Sequence, residues 1–197
     1  MKHDRLFPTN IFKQSDFMPE EDLQAMKDDI LKRYTEPRHR WQTDHMLHER
    51  EPYIKLAKKV ITHTGLIMDE LTTMYDDVGI TGMWGNILKK GESHDVHTHS
   101  NNWLSGVYYL EADDTEGISF LDPRPAASVF QPHCYSSIDN SHLIKYPAKK
   151  NQIYFFPSWL MHYVPTVMND NLRISIAFNI QLKGNVGVPE DLQYAKF

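Results

Sequence analysis

Apolar residues in the first part of the chain recur at the spacing of an α-helix. Pro19 and the acidic run 20–22 mark a helix start, because proline fits the first turn and acidic side chains favour the positive end of the helix dipole. The apolar residues that follow continue at helical spacing up to Tyr34, before Pro37: Leu23, Met26, Ile30 and Leu31. A second helix is predicted from about residue 53 to 75, with apolar residues on one broad face: Leu56, Val60, Ile67 and Leu71. Residues 1–78 are therefore predicted to form a helical support region.

From Gly79 onward the pattern changes to the alternation typical of β-strands. The candidate strands are short and separated by turn residues: 81–88, 104–110, 118–121, 152–156 and 173–181. Such strands predict a sandwich, barrel or jelly roll, and the helices need this sheet to cover their apolar faces. We therefore predict one mainly β domain over residues 1–197, with a core at 79–183 and a C-terminal tail at 184–197.

Two connecting segments have a composition of their own. Residues 41–45 are predicted to be a loop or a short edge strand. The segment 123–150 is long and contains proline, serine and asparagine, which is typical of an insertion or a lid over a site.

Composition and charge restrict the classes of function. The net charge is −5, which argues against an obligate nucleic-acid binder, since such proteins are usually basic. One cysteine, Cys134, excludes a disulfide framework and a cysteine-based zinc site. With no targeting or membrane segment, we expect a soluble, cytoplasmic protein without a membrane partner. The chain has 11 histidines, so a metal would be bound by histidines together with each other or with carboxylates.

Three features point to chemistry. His97 and His99 would present two imidazoles side by side on a strand, since residues i and i+2 face the same way, although a polar loop also fits this stretch. His162 follows an aromatic run that begins at Phe155. Arg173 opens the most apolar strand and is either an edge residue in water or a buried cation that needs an anion, and Ser175 shares its strand face.

This ordered pattern resembles the double-stranded β-helix oxygenases that use Fe(II) and 2-oxoglutarate, in particular their prolyl-hydroxylase-like branch. The resemblance covers roughly the C-terminal part from residue 79 and includes Gly91, which stands six positions before His97. It continues through Ser105-Gly-Val-Tyr-Tyr109 and through Gly117 and Phe120. The chain is also similar to a subfamily known mainly from marine bacteria and phages, whose matching features are Leu6-Phe7-Pro8-Thr9, Trp84-Gly-Asn86, Asp122-Pro123-Arg124 and Arg-Ile-Ser-Ile-Ala-Phe-Asn from residue 173.

The resemblance implies a set of site residues. The metal ligands would be His97, His99 and His162, with Asp95 as the alternative because His99 stands where the family usually has aspartate. Residues implied for 2-oxoglutarate are Arg173, Ser175, Tyr109 and Ser105. Residues assigned to the substrate or to support of the ligands are Asn86, Trp84, Trp103 and Arg124.

The implied function is a dioxygenase that takes Fe(II), 2-oxoglutarate and O2 and hydroxylates a C–H bond, with release of succinate and CO2. The substrate would be a peptide, an amino-acid side chain or a small molecule, and an oligomer of identical chains stays open. Two alternatives remain. One is a jelly roll that binds a metal or ligand without turnover, which His99 in place of a carboxylate supports. The other is a histidine-rich cupin-type metalloenzyme without 2-oxoglutarate, against which Arg173 and Ser175 argue.

Overall fold

The structure is a computed structural model. It describes the whole chain except residues 1, 3, 5, 37–39, 125–128 and 130–136, and at 113–116 it describes the backbone alone. The elements, in chain order, are β1 (Phe12–Gln14), α1 (Glu20–Arg33), β2 (Trp41–Gln42), a 3-10 turn (Leu47–Glu49), α2 (Ile54–Glu70), β3 (Asp77–Leu88), β4 (His94–His97), β5 (Leu104–Glu111), β6 (Asp113–Leu121), β7 (Leu143–Lys149), β8 (Ile153–Pro157), β9 (His162–Val164), β10 (Arg173–Lys183), β11 (Asn185–Val186) and β12 (Ala195–Lys196).

Two antiparallel sheets make up the body of the protein. The major sheet has the strand order β1-β8-β5-β10-β3-β2, and the minor sheet has the order β4-β9-β6-β7. The sheets face each other, since one apolar cluster joins Val107 and Phe156 of the major sheet to Ile118 and Phe120 of the minor sheet. The rings of Phe120 and Phe156 lie 5.1 Å apart. This jelly roll is the double-stranded β-helix that the sequence predicts.

The two faces of β10 contact different regions of the protein. Its even-numbered residues pack into the main hydrophobic core: Ile174, Ile176, Phe178 and Ile180. The same core contains apolar residues of α1 and α2. Its odd-numbered residues line a cavity between the sheets: Arg173, Ser175 and Ala177. Because successive side chains of a strand point to opposite faces, one strand contributes both to the main core and to the cavity wall.

Several predicted boundaries need correction. Helix α2 ends at Glu70 rather than near residue 75, and Thr72 just beyond it has a φ of 52°, which a helix does not continue through. Strand β7 lies in the segment predicted as an insertion or lid, because it pairs with β6 and completes the minor sheet. The rest of that prediction concerns residues mostly outside the described ones.

The termini also contribute to the sheets. Strands β1 and β2, from the region predicted as helical support, extend both edges of the major sheet. β2 is the short edge strand that was one of two predictions for residues 41–45. The predicted C-terminal tail contains the hairpin of β11 and β12. Within the described part of the chain, no helix is long and apolar enough to cross a lipid bilayer.

Candidate metal centre and adjoining cavity

A cavity of about 610 Å³ lies between the two sheets. Predicted site residues line much of it: Trp84, Asn86, Asp95, His97, His99, Tyr109, His162, Arg173 and Ser175. The remaining lining residues were not predicted as site residues: Arg40, Trp41, Gln42, His94, Gly106, Val107, Ile118, Phe156, Val164 and Ala177. The strand pairing explains this grouping, since Ser175 is the register partner of both Asn86 on β3 and Tyr109 on β5.

Three histidines form one cluster at the cavity. His97 on β4 and His162 on β9 are register partners in the minor sheet. His99 lies beyond the end of β4, where its backbone N–H donates to the carbonyl of Ser158 at 2.9 Å. One ring nitrogen from each residue lies within 4.8 Å of the other two. The three side chains therefore offer three imidazole ligands to one ion.

Backbone carbonyls fix the orientation of two of these rings. The Nδ1 atom of His97 lies 2.7 Å from the Asp95 carbonyl oxygen, and Nδ1 of His162 lies 2.8 Å from the Leu160 carbonyl oxygen. A carbonyl oxygen only accepts, so each Nδ1 carries the proton and each Nε2 keeps a lone pair. This arrangement is the usual one for a histidine that ligates a metal through Nε2.

Burial keeps two rings of the cluster, those of His162 and His99, uncharged. The pKa of His162 is lowered to about 3, mainly by burial and with smaller contributions from His97 and His99, while the hydrogen bond to Leu160 opposes them. Burial likewise lowers the pKa of His99 to about 4, with a smaller contribution from His97. Neutral imidazoles keep the lone pairs that a divalent cation needs.

The proposed alternative ligand, Asp95, is outside the cluster. Its side chain is 88% exposed, and its carboxylate lies 3.4 Å from the guanidinium of Arg40. The residue acts on the site through its carbonyl, which holds the His97 ring. In the described part of the chain, the cluster thus contains three histidines and no carboxylate.

Arg173 is a buried cation without a carboxylate among the described residues. Its exposed fraction is 5%, and its Nη2 donates to the hydroxyl of Tyr109 at 3.1 Å. Its guanidinium also lies over the Tyr109 ring, 5.0 Å from the ring centre, while its Nε has no hydrogen-bond partner. An unpaired buried charge is costly, so this end of the cavity suits an anionic ligand. The sequence left two alternatives for Arg173, and the structure shows the buried one.

Three predicted site residues lie away from the cavity. Ser105 shares the strand face of Tyr109, but its hydroxyl bonds to Ser158 Oγ at 2.7 Å and to Asn179 Oδ1 at 2.8 Å. Trp103 packs against the core on the helix side. Arg124 is 70% exposed and pairs with Asp122. Sharing a strand face does not bring Ser105 to the cavity, because Tyr109 lies four residues further along the strand.

We expect Ser105→Ala to lower stability without affecting ligand binding. The change leaves a buried polar group on Ser158 and a partly buried one on Asn179 short of a partner, which costs about 1–3 kcal/mol. Urea unfolding measures the loss in the free energy of unfolding, and titration with 2-oxoglutarate measures the affinity. A large loss of affinity in a folded variant would return Ser105 to the co-substrate site.

His94 and Arg40 are site residues that sequence reasoning missed. On a regular strand His94 would lie out of phase with His97, because three residues separate them, but β4 is irregular between them and both side chains line the cavity. The pKa of His94 is lowered to about 4, mainly by burial and with smaller contributions from the charges of Arg40 and Arg173. Arg40 lies just before β2, and nothing in the local sequence marked it.

These features define a class: a double-stranded β-helix with three histidines that could hold a metal ion beside a buried arginine. The family model described as "Putative 2OG-Fe(II) oxygenase" matches residues 82–179, and the chain belongs to this family. The expected enzyme class and its cofactors, Fe(II) and 2-oxoglutarate, are thereby confirmed. No curated protein sequence matches the chain.

Solved structures of related fold are distant in sequence. A prolyl-4-hydroxylase from Pseudomonas putida has a TM-score of 0.63 and 13% identity, over 89% of this chain and 94% of that one. The viral collagen prolyl hydroxylase of Paramecium Bursaria Chlorella virus-1, in its 2OG complex, has a TM-score of 0.55 and 15% identity, over 86% and 94%. HygX from Streptomyces hygroscopicus, with nickel and 2-oxoglutarate bound, has a TM-score of 0.63 and 8% identity, over 88% and 82%. At these identities the likeness concerns the fold.

Proposed function

We propose that the protein is a dioxygenase in which His97, His99 and His162 bind Fe(II) and Arg173 binds the distal carboxylate of 2-oxoglutarate. The observation that carries this proposal is the shared cavity: three imidazoles and a buried guanidinium with a free Nε line the same space. A dianionic 2-oxo acid matches both, since one end chelates a metal and the other is a carboxylate.

The residues around this pair have supporting roles. Tyr109 holds the guanidinium of Arg173 through its hydroxyl and its ring. Ser175, on the same face of β10, offers a hydroxyl to the same carboxylate. The carbonyls of Asp95 and Leu160 orient two ligand rings before the metal arrives, which lowers the cost of ordering them. When bound, Fe(II) with 2-oxoglutarate and O2 would supply the oxidation of a C–H bond, with succinate and CO2 as the other products.

The substrate would enter beside the metal, where Trp84 and Asn86 line the wall. Trp84 is held by His45, whose ring stacks on it with centres 4.9 Å apart. HygX, a protein of similar fold, has a solved structure with hygromycin B bound together with nickel and 2-oxoglutarate. A protein of this fold can therefore bind a small molecule in addition to 2-oxoglutarate. We propose a small molecule or an amino-acid side chain as substrate.

Release of succinate tests the function. The purified protein is incubated with Fe(II), 2-oxoglutarate and air, first alone and then with pools of amino acids, peptides and small metabolites. We expect slow succinate formation without substrate and stimulation by the pool that contains it, with omission of Fe(II) as the control. Tight binding of 2-oxoglutarate without any succinate would favour the alternative of a non-catalytic binding protein. The absence of a carboxylate from the described cluster is the observation that supports this alternative.

A further inference from the structure

A β-bulge brings a fourth histidine into the cavity. His94 is the register partner of Val164 and His97 is that of His162, so β4 advances three residues where β9 advances two. The extra residue of a bulge reverses the phase of a strand, and side chains three positions apart then face the same way. His94 accordingly lines the cavity together with His97.

His94 and Arg173 project into the same end of the cavity from opposite sheets. Val164, the partner of His94, belongs to a small apolar cluster with Leu88, and Leu88 is the register partner of Arg173. This contact between Val164 and Leu88 brings the two sheets together at the end where both side chains lie. The electrostatic influence of Arg173 on His94 agrees with this closeness.

Each of these two side chains has a polar atom without a hydrogen-bond partner among the described residues. Arg173 has a buried Nε without a hydrogen bond, and within the described residues no hydrogen bond is found for the ring of His94. The other nearby cation, Arg40, is engaged elsewhere: it donates to the Ser93 carbonyl at 2.9 Å and lies 3.4 Å from the Asp95 carboxylate. Two unused donors on facing walls match the two oxygens of one carboxylate.

We propose that His94 is a co-substrate-binding residue that donates a hydrogen bond to the distal carboxylate of 2-oxoglutarate from the wall opposite Arg173. The inference rests on the proposed function, because it takes 2-oxoglutarate as the anion. Both sheets would then contribute to selectivity for a dicarboxylic 2-oxo acid. Arg173 on β10 contributes the charge, and His94 at the bulge in β4 contributes a directional N–H.

Matched variants and matched ligands test this role. Calorimetric titration of Mn(II)-loaded protein measures the dissociation constants of 2-oxoglutarate and of 2-oxobutyrate, which keeps the chelating end and lacks the distal carboxylate. We expect His94→Leu to weaken 2-oxoglutarate by about tenfold to a hundredfold, the loss typical of a hydrogen bond to a charged group. Binding of 2-oxobutyrate stays unchanged, and His94→Gln, which keeps an N–H donor, recovers part of the loss.

The two ligands separate the outcomes. Equal weakening of both 2-oxo acids by His94→Leu would mean a distorted metal site and would overturn the proposal, as would unchanged binding of both. If the wild-type protein bound 2-oxobutyrate and 2-oxoglutarate equally well, His94 and Arg173 would both lose their assigned ligand. Failure of the wild type to bind either acid with Mn(II) present would instead remove the proposed function itself.

Discussion

Replacing Arg173 with methionine is expected to weaken 2-oxoglutarate binding by about a hundredfold or more, because a buried charge-assisted contact contributes about 3 kcal/mol. Methionine fills a similar volume without the charge. The sign of the stability change is informative: without ligand, the variant should be at least as stable as the wild type, since it removes a buried cation that lacks a carboxylate. Titration with 2-oxoglutarate and thermal unfolding without it measure the two effects.

Arg124 supplies the matched control. It is an exposed arginine paired with Asp122, and it lies outside the cavity lining. Arg124→Met should change neither the affinity for 2-oxoglutarate nor, by more than about 0.5 kcal/mol, the stability. Equal affinities for the Arg173 and Arg124 variants would contradict the assignment of Arg173 to the co-substrate.

Loss of one proposed ligand histidine is expected to lower the affinity for Fe(II) by more than about a hundredfold, since even partners outside the ligand set are worth 10–100-fold. His162→Ala removes the proposed ligand that is buried, and its folding is checked by circular dichroism because His162 packs against Phe156. His99→Ala removes the proposed ligand that is half-buried and lies outside β4, so it tests the same point at less risk to folding.

Equilibrium dialysis with Fe(II) under anaerobic conditions measures these affinities. His63→Ala is the control, because this histidine lies on α2 and hydrogen-bonds Gln14, away from the cavity. A folded His99→Ala protein that binds Fe(II) like the wild type would remove His99 from the ligand set. The same experiment with Asp95→Asn is expected to change little, since the Asp95 carboxylate faces Arg40.

The sequence could predict the features that follow from strand alternation and from the order of residues along the chain. The period of two along β10 placed Arg173 and Ser175 on one strand face, but it left open whether Arg173 is buried or exposed, since burial depends on what packs against that face. The family's spacing from Gly91 to His97 and the aromatic run before His162 pointed to two histidines that are register partners in the minor sheet.

Irregular geometry explains what the sequence could not predict. The bulge in β4 reverses the strand phase at His94, and no residue in that stretch indicates a bulge from the sequence alone. Strand alternation was expected to place His99 beside His97, but β4 ends at His97. A backbone hydrogen bond to Ser158, which is distant in sequence, holds His99 at the cluster instead. Strand β7 was missed because it contains Pro147 and lies in a segment with proline, serine and asparagine, which is typical of a loop, while pairing with β6 stabilises it.

The proposed Fe(II) and 2-oxoglutarate site is tested most directly by the visible absorption spectrum of the wild-type protein with both components in the absence of oxygen. A 2-oxo acid that chelates Fe(II) gives a broad charge-transfer band. We expect this band in the wild type, its loss when either component is omitted, and its loss in His99→Ala. The absence of a band at saturating Fe(II) and 2-oxoglutarate in the folded wild-type protein would contradict the proposed site.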